Sequence, residues 1–209
     1  FYVLLDRAGL GGGGASGVVT MLVGASACVA VAVALRALGA EVHLFGEDFD
    51  EAREEAGRFS ESDGARFVHS ANEKMLIAGV ATMALEIFAV QPDIDVIVAP
   101  VGGGSGVCGN ALVAKERGAA VEVIAVQSAQ APVCYRAWKE RRLDVEGPMS
   151  TVHEGVATRV PFELTMQMMW QLVDDFVLVD DGEIEAAMRL LALKAKLVAE
   201  GAGAASLAA

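Results

Sequence analysis

Apolar and polar positions along this chain change period several times, and each change marks an element. "EVHLFG" (41–46) is short, rich in β-formers and closed by glycine, which predicts a strand. "DFDEAREEAGRFSES" (48–62) is charged with helical spacing and predicts the helix that follows it. Over 73–90, "EKMLIAGVATMALEIFAV" sets Leu76, Val80, Met83, Ile87 and Val90 at helical intervals, and Gln91-Pro92 ends the run. A strand "DVIVAP" follows, then a helix "CGNALVAKERGA" (108–119) and a strand "VEVIAVQS" (121–128), together a βαβ unit. Further on, the Met-rich "TMQMMWQL" (165–172) is expected to be a core helix face. "FVLVD" (176–180) reads as a strand, and Asp180 with Glu183 spells a capping box for a helix through about Val198. Strands alternating with helices predict an α/β fold with a mostly parallel sheet and flanking helices.

One stretch admits two readings. From Val18 to Leu35 eighteen residues pass without a charge, which is the length of a membrane span. Alanine, glycine and serine fill much of it and no aromatic belt flanks it, which favours a buried strand followed by a small-residue core helix. The glycines at 11–14 read as a loop, since Ala8 and Leu10 before them make no strand.

Composition narrows the function. With 209 residues, of which 54% are hydrophobic, the chain is long enough to bury a full core. A formal charge of −12 argues against nucleic acid and anionic membrane as partners, because affinity for both rests on Lys and Arg. Cys28, Cys108 and Cys134 are widely spaced and form no CxxC pair, so neither a disulfide framework nor a zinc site is indicated and a cytoplasmic setting is expected. No secretory signal is readable after Phe1.

The chemistry concentrates in "VIVAPVGGGSGVCGN" (96–110), where a strand runs through glycines into a helix. Helix starts carry unpaired N–H groups and the positive end of the dipole, so an anion can sit directly on such a loop. A tight turn with no ligand is the plain alternative, although four glycines in five residues exceed what a turn requires. Gly104, Gly106 and Gly109 spell GxGxxG, yet the next strand ends in Gln127-Ser128 where a dinucleotide site needs an acid, and Glu122 lies at its wrong end. A dinucleotide-binding reductase is thereby demoted to a third option. No GK[ST] follows, which excludes a P-loop. His43, alternating with apolar neighbours, is expected to be packed or at a strand edge, and no Ser-His-Asp or Cys-His constellation follows from spacing. Lys74, Lys115, Lys139, Lys194 and Lys196 read as solvated surface lysines.

"PVGGGSGVCGNALVAK" resembles the glycine loop of the fold type II pyridoxal-phosphate enzymes, the tryptophan-synthase-β-like superfamily, in particular its threonine and serine dehydratases (ammonia-lyases) with serine racemase. Other segments agree in order: "FYVLLDRAG…GVVT", "LRALGAEVHLFGEDFDEA" (35–52), "FVHSANEKMLIAGVATMALEI" (67–87), "STVHEGVATRVPFELT" (150–165) and 172–209. The resemblance implies pyridoxal 5'-phosphate as cofactor, its phosphate on the amides of Gly102, Gly103, Gly104, Ser105 and Gly106, with Gly155 and Glu200 near the ring. It implies dehydration and deamination of threonine or serine to a 2-oxo acid and ammonia, with a homo-oligomer by analogy. The alternative is a catalytically inactive binding or assembly module.

Departures from the family pattern shape the expectations. The Schiff-base lysine of the family would fall upstream of Phe1, and the partner of the pyridine nitrogen beyond Ala209. Ala25-Ser26-Ala27, with Cys28, stands in a shortened substrate-carboxylate loop, so the small domain is expected to be incomplete. Gly79-Val80-Ala81-Thr82 loses a polar side chain that the family has. Gln127-Ser128 and Val133 replace cation ligands, so no metal is expected. His153-Glu154-Gly155 stands for the family's Asp-Gly, which makes His153 the histidine nearest the cofactor, with His69 near the site. Gly201 follows Glu200 where proline is usual. The expected organisation is a remnant of the large-domain start and small domain over 1–40, partial small domain and return over 41–92, and a large cofactor-binding domain over 93–209.

Overall fold

Alternating strand and helix segments resolve into two separate sheets. The computed structural model describes residues 2–6, 19–23, 36–37, 39, 41–46, 49–117 and 121–209. The chain divides into a unit Phe1–Ser70 and a unit Ala71–Ala209.

In the first unit, β1 (Tyr2–Asp6), β2 (Val19–Val23), β3 (Glu41–Leu44) and β4 (Arg66–Val68) form a sheet in the order β3-β2-β1-β4. β2 runs parallel to β3, and β1 is antiparallel to both its neighbours. Helix α1 (Phe49–Asp63) opens on Asp50 and Glu51, whose charge suits the helix dipole, and buries Ala52 and Ala56. Gly64 at φ +70° then closes it with a left-handed residue. The strand and helix expected over 41–62 are present. Of Val18–Leu35, residues 19–23 are the strand β2; positions 24–35, with Cys28, and the glycines at 11–14 lie outside the described residues. Among the described residues no helix is long and apolar enough to cross a membrane.

The second unit contains α2 (Lys74–Val90), β5 (Val96–Pro100), α3 (Ser105–Glu116), β6 (Glu122–Ser128), α4 (Val133–Glu140), a 3-10 turn (Glu154–Val156), α5 (Glu163–Leu172), β7 (Asp175–Val179), α6 (Asp181–Leu190) and α7 (Gly201–Ala208). Its sheet, β5-β6-β7, is parallel throughout. Three of the five strand pairings among the described residues are therefore parallel, an α/β architecture of mostly parallel sheet with flanking helices. The central strand β6 buries Val123, Ala125 and Val126 completely, as a parallel strand covered on both faces must. Met166 and Met169 of α5 are fully buried, and the Trp138 indole donates to Met169 O at 3.2 Å, so the Met-rich helix is a core face. At the sheet edge the Asp174 carboxylate accepts from Lys115 Nζ at 2.6 Å and from Val123 N at 2.7 Å. Desolvation opposes its ionisation, but these donors hold it below the usual carboxylate range.

One helix face is left open by the sequence, and two expectations need correcting. Helix α2 exists, but the face marked by Leu76, Val80, Met83, Ile87 and Val90 is not the buried one, and Val90 is 85% exposed. Ile77, Ala81, Ala84 and Phe88 face the core instead. The helix is apolar almost all round, so period alone selects no face. Small residues decide it: a Cβ on Gly109 of α3 would stand 2.8 Å from Ala81 N, so the two helices touch at backbone distance. First, α3 begins at Ser105, three residues earlier than expected, because Gly104 alone takes a left-handed conformation (φ +92°) and Ser105 and Gly106 are already helical. Second, the capping box is present, with Glu183 N to Asp180 Oδ1 and Asp180 N to Glu183 Oε2 both 2.8 Å. The helix it starts ends at Leu190 and not near Val198, in a single π turn (Leu191–Ala195) closed by Lys196 at φ +60°.

Candidate functional site

Glycine without a Cβ permits close approach, and the loop after β5 uses that freedom on several sides. Val101 N extends the ladder to Val126 O at 2.7 Å, and the chain then leaves the sheet. A Cβ on Gly102 would lie 2.5 Å from Gly155 O. One on Gly103 would lie 2.9 Å from the Ala71 Cβ, and one on Gly104 3.0 Å from the Thr165 Cβ. At Gly106 no atom comes within 4 Å of that position, so this side of the helix start is open.

Each carbonyl facing inward has a donor. Gly102 O accepts from Cys134 Sγ at 3.5 Å, and Gly103 O from Thr165 Oγ1 at 2.7 Å. Gly104 O accepts from Cys108 N at 3.0 Å, and Gly106 O from Asn110 Nδ2 at 2.8 Å. In a planar trans peptide the N–H points opposite to the C=O. The amides of Gly103, Gly104 and Ser105 therefore point away from the groups that hold the carbonyls. Among the described residues none of the amides of Gly102–Gly106 donates to a protein acceptor. Free amides at the start of a twelve-residue helix are the kind of group that can hold an anion.

Gly155 stands beside this loop, and Glu200 beside Gly155. Gly155 O packs on Gly102, and the Cβ position of Gly155 lies 3.6 Å from Glu200 Oε1 and 2.6 Å from the Ala202 Cβ. Gly201 packs flat against the His153 ring at a distance no Cβ would tolerate. His153 is 9% exposed, and its Nε2 is buried without a partner among the described residues. The loop carrying it is tied down by Asp181, which accepts from Thr151 Oγ1 at 2.7 Å, Val152 N at 3.1 Å and Ser128 Oγ at 3.1 Å. Desolvation pushes that carboxyl up, but the three donors and the nearby His153 hold it below its ordinary value.

Other expected positions take structural roles. Gln127 is fully buried, accepting from Tyr135 N at 3.0 Å, and Val133 is fully buried too. Among the described residues no three His, Cys, Asp or Glu side chains cluster as metal ligands. Burial, with Cys134 as a second cause, pushes the Cys108 thiol up to about 12, so it is no thiolate nucleophile. Lys74 and Lys194 are exposed, Lys139 lies over the Tyr135 and Trp138 rings, and Lys196 Nζ donates to Leu193 O at 2.8 Å. Lys115 departs from the surface expectation, being mostly buried in its pair with Asp174. His43 sits at a strand with Nε2 2.8 Å from Glu41 Oε1, and His69 lies in the first unit, beyond β4. Sequence reasoning missed Cys134, Asn110 and Thr165 as carbonyl holders. Phe162, Thr165 and Met169 do recur at i, i+3 and i+7, a helical stripe behind the loop that spacing alone could have marked.

A family model described as "Pyridoxal-phosphate dependent enzyme" matches residues 13–209. The chain is 42% identical over 175 residues to an L-threonine ammonia-lyase of Thermotoga maritima, covering 83% of this chain and 43% of that protein. It is 38% identical to an L-threonine ammonia-lyase of Geobacter sulfurreducens, covering 84% of this chain and 44% of that one. Among solved structures it is similar to the processed form of threonine deaminase isoform 2 from Solanum lycopersicum, with a TM-score of 0.83, 28% identity and coverage of 90% of this chain and 55% of that one. Maize serine racemase gives a TM-score of 0.82 at 25% identity, with 90% and 57% covered. The chain thus spans about half the length of the relatives it matches.

Proposed function

This chain belongs to the family of pyridoxal-phosphate-dependent enzymes, and from that premise we propose that Gly102–Gly106 seat the cofactor phosphate in an ammonia-lyase acting on threonine or serine. The observation that carries the reading is the set of held carbonyls, which leaves the amides of Gly103, Gly104 and Ser105 pointing away from the groups that hold them and without a protein acceptor among the described residues. Three amide donors and a helix dipole suit a phosphate dianion, and Ser105 adds a hydroxyl. Gly155 and Glu200 belong to the same reading as groups beside the ring, because Gly155 borders Gly102 and Glu200 borders Gly155. When bound, pyridoxal phosphate supplies an electron sink for the pair left by the Cα proton, so that a β-hydroxyl can depart. Water lost from the amino acid is regained on hydrolysis, and the net products are a 2-oxo acid and ammonia.

The chain's own residues supply binding and shape. Gly102 and Gly155 exclude side chains from their contact, which keeps the cradle floor at backbone thickness. The buried Nε2 of His153 supports placing this histidine close to the ring side of the site. The division into 1–40, 41–92 and 93–209 is part of the same proposal, and the boundary between units at Ser70 falls inside its middle segment. Buried thiols at Cys108 and Cys134, neither in a disulfide, suit a reducing, cytoplasmic setting. Exposed Met83, Ile87 and Val90 on one helix support a homo-oligomer.

The test is to titrate pyridoxal phosphate into the full-length protein with inorganic phosphate as competitor, and to assay 2-oxo acid release from L-threonine and L-serine. Saturable binding displaced by phosphate, with release of 2-oxo acid, is expected. Binding without release from either amino acid overturns the lyase assignment and leaves the binding module. No binding overturns the site.

A further inference from the structure

A run of glycines cannot orient its own peptide planes. With no side chain on either flank, the plane between Gly103 and Gly104 can rotate with little steric cost, and rotation by half a turn would aim the Gly104 N–H inward and the Gly103 carbonyl into the anion seat. Something outside the loop must select one orientation. Thr165 is the candidate, being fully buried in the first turn of α5. Its Oγ1 lies 2.7 Å from Gly103 O and 3.3 Å from Phe162 O. A hydroxyl has one proton to give, and the shorter contact takes it; Phe162 O already accepts from Met166 N at 2.9 Å. Among the described residues no other donor reaches Gly103 O. Thr165 is itself held, since its carbonyl accepts from Cys108 Sγ at 3.3 Å and the neighbouring Leu164 N donates to Asn72 Oδ1 at 3.1 Å.

We propose that Thr165 is a positioning residue for the anion seat: its hydroxyl proton fixes the Gly103–Gly104 peptide plane and so the direction of the Gly104 N–H. The proposal rests on reading Gly102–Gly106 as the phosphate seat. It makes a residue that touches no ligand a determinant of phosphate affinity. It also separates the chemistry of the hydroxyl from the volume of the side chain, because valine keeps the shape of threonine and serine keeps its donor.

The experiment is calorimetric titration of inorganic phosphate, pyridoxal phosphate and phosphate-free pyridoxal into the parent protein, Thr165→Val and Thr165→Ser. Loss of one oriented donor is expected to weaken inorganic phosphate and pyridoxal phosphate about tenfold in Thr165→Val, with pyridoxal unchanged and Thr165→Ser within about twofold of the parent. Equal phosphate affinity in Thr165→Val and the parent overturns the positioning role while leaving the seat intact. A parallel loss for pyridoxal also overturns it, as general damage to the fold. Failure of the parent to bind inorganic phosphate overturns the seat and the proposal with it. Should Thr165→Val not fold, the amide resonance of Gly104 is followed in the parent and in Thr165→Ser. A shift on adding inorganic phosphate is expected in both, and its absence from either overturns the proposal.

Discussion

Replacing Gly102 by alanine tests the packing on which the site depends. The new methyl carbon would stand 2.5 Å from Gly155 O and 3.3 Å from Gly155 C, both backbone atoms. Ordinary contact between carbon and oxygen needs roughly 0.7 Å more, so one segment must move. Neither moves easily. Val101 is anchored to β6 through Val126 O, and the turn around Gly155 is closed by Val156 N to His153 O and Ala157 N to Glu154 O, both 3.1 Å. Overpacking of this kind costs about 1–3 kcal/mol, and a backbone obstacle puts it near the upper end. Gly102 is absent from the glycines with positive φ, so no left-handed strain adds to that, and restricting the unfolded chain returns about 0.4–1 kcal/mol. A net loss of about 2 kcal/mol follows. Gly106→Ala is the internal control: nothing lies within 4 Å of its Cβ position, and a helical glycine replaced by alanine gains about 0.8–1 kcal/mol. Urea unfolding followed by Trp138 and Trp170 fluorescence reads both, since the two indoles lie in the same unit as the loop. The variants should move in opposite directions and differ by about 3 kcal/mol. A Gly102→Ala protein as stable as its parent would refute the contact with Gly155, and with it the reason for a glycine there.

Two further predictions concern acid. Burial, with the Arg53 guanidinium second, lowers His69 from 6.5 to about 4. As pH falls through 6.5 the unfolded chain takes up this proton first, so stability drains between there and about 4, by at most about 3 kcal/mol and less where water reaches the ring. Urea midpoints against pH should show that slope in the parent and lose it in His69→Gln; a slope that survives the substitution contradicts the assignment. Asp181 works in the other sense, as a carboxylate held low whose contribution is present above the ordinary carboxylate range and lost as pH drops through its folded value. Asp181→Asn turns an amide N–H₂ toward a donor and should cost about 1 kcal/mol at neutral pH, discounted for exposure, while flattening the acid limb of the midpoint curve. An unchanged acid limb would remove Asp181 as the tie between β6 and the His153 loop.

What could be read along the chain and what could not divide along a physical line. The glycine loop, the strand before it and the Asp180–Glu183 box are local signals, each set by neighbours within a few residues, and their positions follow from spacing. The buried face of α2 is set by where Ala81 meets Gly109, twenty-eight positions away, and an all-round apolar helix conceals it. The π turn after Leu190 likewise has no breaker residue to announce it. Within the site the same division has a functional meaning. A cradle built from main-chain donors needs residues with no side chains, so that an anion can come close, and those residues then carry no information about which way their amides face. That information has to be supplied from elsewhere in the chain, and in the proposed seat the carbonyls are held by Cys134, thirty-two positions from Gly102, and Thr165, sixty-two positions from Gly103. The donors of such a site are legible in its motif, while their direction belongs to the packing of α4 and α5 behind it.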